Sequence, residues 1–142
     1  MNGNDYGTEV ATGRYDALNG LLLKGNGKGS FSPQSIRESG ICIPHNGKAL
    51  VKLVSSSGDY LVAASQHQDA LQLYRLKRKV NVVRINPDDV GAMVTFKDGR
   101  SRREEFYYGN SFLSQSSRFI LADSSVKSVA ITNTKRKLRL YR

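Results

Sequence analysis

Apolar and polar residues alternate over short stretches along most of this chain, and Gly, Asn, Asp and Ser separate the stretches. A period of two places every second side chain on one face, the pattern of a strand with one buried side. Residues 48–54 (KALVKLV) put Ala49, Val51 and Leu53 together, and Ser55-Ser56-Ser57-Gly58-Asp59 turns the chain into Tyr60-Leu61-Val62-Ala63-Ala64. This predicts a hairpin. Gln66-His67-Gln68-Asp69 leads on to 70–76 (ALQLYRL), where Leu71 and Leu73 share a face, and a three-stranded meander results.

Further along, 80–85 (VNVVRI) and 91–97 (GAMVTFK) read as strands, and Asp98-Gly99 reads as a two-residue turn that tolerates positive φ at both positions, joining 91–97 to 100–108. After the polar loop 109–117 come 118–121 (RFIL), 126–132 (VKSVAIT) and 137–141 (KLRLY), the last two joined by Asn133-Thr134-Lys135-Arg136. Helical periodicity is scarce, so the expected fold class is all-β: antiparallel blade-like strands followed by a small antiparallel sheet or sandwich.

The first forty residues are broken by eight glycines, from Gly3 to Gly40. Residues 20–24 read as a strand, Gly25-Asn26-Gly27-Lys28-Gly29 as a turn and Ser30-Phe31 as the start of the return strand. A phosphate-cradling loop would open directly into a helix, and Ser30-Phe31-Ser32-Pro33 does not.

Charge divides the chain. Of 142 residues, 22 are basic and 12 acidic, for a net charge of +10. Residues 1–74 hold six of each, so the whole excess lies in 75–142, with sixteen basic and six acidic residues. Dense runs occur at 77–79, 100–103 and 135–137. The break predicts two modules, 1–79 and 80–142. Basic residues beside strands discourage edge-to-edge pairing, and a field of this sign also attracts nucleic acid, anionic lipid or acidic glycans. The neutral first part lacks such a guard, so self-association, if any, is expected through 1–74.

At 21–33, LLLKGNGKGSFSP resembles the strand-turn-strand of FG-GAP/VCBS β-propeller repeats. GAMVTFKDGR at 91–100, the Arg103-Glu104-Glu105 strand, GNSFLSQSS at 109–117 and VKSVAIT at 126–132 are similar to the ASPIC/UnbV domain that follows such propellers. The resemblance implies a propeller-like segment over 1–79, an ASPIC/UnbV-like module over 80–142, and an extracellular or cell-surface setting, in periplasm or outer membrane for a bacterial protein. It further implies a non-catalytic adhesion or binding role. Residues 1–6 carry neither a basic patch nor an apolar stretch of signal-peptide type, as expected of a fragment of a longer secreted protein. No apolar run approaches the ~18 residues of a membrane-spanning helix.

Chemistry is sparse. His45 and His67 lack a His or carboxylate at ligand spacing, no Asp-x-Asp-x-Asp-Gly calcium loop occurs, and the single cysteine, Cys42, lies between Ile41 and Ile43 in a setting for a small buried hydrophobe. No metal, cofactor or enzymatic activity is expected. The candidate binding constellation is Arg102, Arg103, Tyr107, Tyr108, Asn110 and Gln115, which combines stacking faces with hydrogen-bond donors suited to a protein or glycan ligand. The competing structural role has Phe106 and Tyr108 in the core and Ser114-Gln115-Ser116 tying down a loop. The alternative function is a nucleic-acid-binding β module that stacks bases on Tyr107, Tyr108 and Phe112.

Overall fold

A computed structural model describes residues 1–109 and 114–141. The chain is nearly all β, with 48% strand and 3% helix in antiparallel sheets. The described residues form eleven strands, in order β1 (Leu22–Gly25), β2 (Phe31–Gln34), β3 (Gly47–Val54), β4 (Tyr60–Gln66), β5 (Asp69–Arg75), β6 (Asn81–Arg84), β7 (Asp89–Phe96), β8 (Ser101–Glu105), β9 (Phe119–Ala122), β10 (Val126–Asn133) and β11 (Leu138–Tyr141). The one helical turn among the described residues, α1 (Ile36–Ser39), has a capping box in which Ser35 and Glu38 exchange side-chain and backbone hydrogen bonds. Among the described residues, no helix is long and apolar enough to cross a membrane.

Two compact units form. The first comprises Met1–Lys52, Val62–Tyr74 and Ser114; the second comprises Leu53–Leu61 and, among the described residues, 75–109 and 115–141. The meander β3-β4-β5 contributes to both.

The first unit buries Ile43, Ala63 and Ala64 together with the polar side chains of Asn4, Asn46 and Gln66. Such polar groups are tolerated inside when hydrogen-bonded. Asn4 Nδ2 donates to Asn19 Oδ1 (2.9 Å) and the His45 carbonyl (3.1 Å), while its Oδ1 accepts from the Leu18 N–H (2.7 Å). Gln66 Oε1 accepts from the His45 N–H (3.0 Å), and its Nε2 donates to the Ala70 carbonyl (3.0 Å). The edge strand β5 turns Leu71 and Leu73 outward and half-buries Gln72 and Tyr74. The alternation there is as the sequence reads, but the apolar face is the exposed one. Cys42 is a half-buried free thiol.

The second unit contains a four-stranded sheet, β11-β10-β7-β8, and a two-stranded sheet, β6-β9. Their shared core is Val83 of β6, Ile120 of β9, Ala92 and Val94 of β7, and Val129 and Ile131 of β10. Register sets the faces. Val94 lies opposite Val129 and Arg102, and Ala92 opposite Ile131 and Glu104, so these side chains share the inner face. Met93, opposite Ala130 and Arg103, belongs to the outer face, as does Leu140 opposite Ala130.

Four hairpins close in the same way. The backbone N–H of Asn26, Ser55, Phe96 and Asn133 donates to the carbonyl four residues on, at 3.0, 3.0, 2.9 and 3.1 Å. The last loop residue is left-handed in each: Gly29, Gly58, Gly99 and Arg136, with φ of 86°, 86°, 87° and 59°. The 97–99 loop is therefore a three-residue connection with one positive φ, not the two-residue turn that Asp98-Gly99 suggests. Arg136 is the exception to glycine, and a Cβ in this region costs roughly 1 kcal/mol. Arg136→Gly is expected to stabilise the fold by up to about 1 kcal/mol, read as a raised urea midpoint, because relief of that strain exceeds glycine's extra chain entropy; a lowered midpoint would show Arg136 unstrained.

Candidate functional site

Period-two geometry divides the sequence-derived constellation between two faces. Arg102 lies on the inner face of β8, where it pairs with Glu104 and its guanidinium stands 5.7 Å from the Phe96 ring centroid. Arg103 lies on the outer face and pairs with Glu105 at 3.0 Å. The Tyr107 hydroxyl donates to the same Glu105 carboxylate, which raises the phenol's pKa above its ordinary value.

Phe106 packs against the core, as its alternation suggests. Tyr108 does not join it: the side chain is exposed, with its ring 4.3 Å from the Arg118 guanidinium. Gln115 Oε1 accepts from the Gly109 N–H, and its Nε2 donates to the Ser116 carbonyl (3.1 Å), so Gln115 bonds to the backbone of both. Asn110 and Phe112 lie outside the described residues. Tyr108 and Gln115 thus meet in a shallow depression of about 260 Å³ with Pro87 and Arg118, and Arg103 and Tyr107 meet through Glu105. Arg102, held by Glu104 and Phe96, joins neither pair.

Arg118 was not legible in the sequence as part of this group. It donates to the carbonyls of Pro87 (3.2 Å) and Asp89 (2.5 Å) while covering Tyr108. A lone arginine opening a short strand gives no local sign of such partners.

The arginines here are mostly satisfied from within. Of the six carboxylates beyond residue 74, five pair with arginine: Asp89 with Arg139, Asp98 with Arg100, Glu104 with Arg102, Glu105 with Arg103, and Asp123 with Arg78. Ser125 hydrogen bonds, then the Arg78 and Arg102 charges, hold the Asp123 carboxyl below its usual range. No ion pair is made among the described residues by Lys77, Lys79, Lys97, Lys127, Lys135 or Lys137, nor by Arg75, Arg84, Arg118 or Arg136. The uncompensated charge of the second unit is therefore carried by its lysines and by these four arginines, of which Arg118 lies within the predicted constellation, over Tyr108.

Two concave surfaces carry part of it. A cleft of about 430 Å³ is lined by Tyr60, the loop 57–59 and the segment 75–80, which brings Arg75, Lys77, Arg78 and Lys79 to one place. A groove of about 480 Å³ runs along β6, with Val83 and Val129 at the bottom and Arg84, Lys127 and Tyr141 among its walls. Arg78, from the cleft, reaches Asp123, from the groove, at 3.0 Å, so the two surfaces adjoin. Among the described residues, no group of three or more His, Cys, Asp or Glu side chains is placed to hold a metal ion. His45 is largely exposed, with Nε2 3.2 Å from Asp69. What this arrangement offers a ligand is charge, hydrogen-bond donors and a little apolar surface.

Compared with protein-family models, with curated proteins and with solved structures, the chain matches none. The class defined by fold and site is an antiparallel all-β protein with an uncompensated cationic second unit.

Proposed function

We propose that the protein is a non-catalytic binding module that recognises an acidic ligand, protein or glycan, through its second unit. The observation that carries this reading is the excess of cations over internal partners: five arginines pair with carboxylates of the unit, while its lysines and Arg75, Arg84, Arg118 and Arg136 have no ion-pair partner among the described residues. Charges left without an internal partner remain available to an external one, and concave surfaces concentrate their field. An extracellular setting, as part of a larger propeller-bearing protein, is supported by the FG-GAP-like and ASPIC/UnbV-like segments alone.

Nucleic acid is the less favoured polyanion. Base stacking needs open aromatic faces, and one face of Tyr108 and one of Tyr141 are approached by guanidinium groups at 4.3 and 5.4 Å. A ligand read by charge fits this surface better.

Heparin serves as the test polyanion. Retention of the whole chain on heparin is expected to be salt-sensitive, with affinity falling by roughly tenfold or more between low and physiological ionic strength, as for other multi-point charge contacts. The double variant Lys77→Glu/Lys79→Glu should elute at markedly lower salt without loss of thermal stability. Retention indifferent to salt or to both reversals would overturn the reading. Tighter binding to a single-stranded oligonucleotide, abolished by Tyr107→Ala, would transfer it to the nucleic-acid alternative.

A further inference from the structure

The second unit's smaller sheet is two strands wide and its larger one four, and a groove lies beside β6, between side chains of both. Its walls include all four residues of β6, Asn81 to Arg84, together with Val129 of β10 and Tyr141 of β11. Successive strand residues point to opposite faces, so a surface that touches all four follows the strand's edge. Among the described residues β6 pairs only with β9, and such an edge presents backbone donors and acceptors with no strand beside them. Arg139 Nη2 donates to the Arg84 carbonyl at 3.3 Å and so closes the edge at that end.

We propose that β6 is the docking edge for an extended acidic peptide from another protein, which adds to β6-β9 as a third strand. This rests on the reading of the second unit as a binder of acidic ligands and specifies the ligand class and its place. Three features of the groove select the occupant. The free edge calls for a row of backbone amides, which a polysaccharide lacks. The Val83 and Val129 floor calls for apolar side chains at alternate positions. Arg84 and Lys127, neither of which has an ion-pair partner among the described residues, call for carboxylates at the positions between. A four-residue strand spans about 13 Å, so the matching core is three or four residues of alternating apolar and acidic side chains.

The test uses the whole chain and a capped, fluorescein-labelled hexapeptide of alternating valine and glutamate, followed by fluorescence anisotropy. Replacing glutamate by glutamine in the peptide is expected to weaken binding by about fivefold. Methylating alternate backbone nitrogens, which removes strand hydrogen bonds and keeps every charge, should weaken it by roughly tenfold; methylation at the other set of nitrogens should be tolerated. Because the peptide is altered and not the protein, folding does not enter. On the protein side, Arg84→Glu/Lys127→Glu should reduce peptide binding while the melting temperature stays unchanged. Equal tolerance of both methylation patterns, or absence of peptide binding with heparin retention intact, would overturn strand addition and leave the broader reading standing. Loss of both peptide and heparin binding to the unmodified chain would overturn the two together.

Discussion

Ile131→Ala is expected to destabilise the second unit by about 2–5 kcal/mol, the range for emptying a buried isoleucine site. Ile131 is fully buried, opposite Ala92 on the inner face of the four-stranded sheet, among Val94, Val129, Val83 and Ile120. Its neighbours come from four strands fixed by backbone pairing, so the cavity has little scope to collapse. A loss of this size is a large share of a typical domain's total of roughly 5–15 kcal/mol, and a population unfolded in buffer is an acceptable form of the result. The control is Met93→Ala. Met93 is 42% exposed on the opposite face of the adjacent strand, and its truncation should cost less than about 1 kcal/mol. Urea titrations followed by far-ultraviolet circular dichroism measure both. Equal losses at the two positions would mean that the inner and outer faces are wrongly assigned.

The second large effect is expected at Asp89. Its carboxylate is buried, accepts the Asn86 N–H at 2.6 Å and meets Arg139 at 2.7 Å. Asp89→Ala leaves the half-buried Arg139 guanidinium without its counter-ion and the Asn86 N–H without its acceptor, a loss of about 2–4 kcal/mol once the partial exposure of Arg139 is allowed for. Removing both partners should cost less than removing Asp89 alone, because the stranded charge goes with them. The double variant Asp89→Ala/Arg139→Leu is therefore expected to regain part of the loss, read as a positive coupling in a double-mutant cycle. Additive losses would show that the pair makes no joint contribution. Arg139 also closes one end of the β6 groove, so the double variant, which removes it, should open that edge further to peptide.

Much of the fold was legible in the chain. Strands at 47–54, 60–66, 69–75, 81–84, 89–96 and 126–133 follow the runs of alternation, and the hairpin turns sit where Gly, Asn, Asp and Ser cluster. These are local properties: period two fixes which side chains share a face, and turn residues fix where the chain reverses. The helical turn at Ile36–Ser39 also had a local sign, the Ser35-x-x-Glu38 capping box, although no apolar periodicity accompanied it. The candidate constellation was less well served. Arg102 and Arg103 are adjacent on a strand and so face opposite sides, by the same rule that separates Glu104 from Glu105.

What the sequence determined by itself was an antiparallel all-β chain built of short hairpins, with its excess positive charge beyond residue 74. Tertiary structure alone decided that β6 pairs with β9 across more than thirty residues, that β10 pairs with both β7 and β11, and that β5 shows its leucines to solvent. It also decided which cations find carboxylates and which do not. Pairing between distant strands depends on the combined burial of several faces at once, and no stretch of sequence records that sum. For the same reason the contacts made by the side chains of Arg118 and Arg139 to Pro87, Asp89 and Arg84 carry no local signal: the partners lie 29 to 55 residues away.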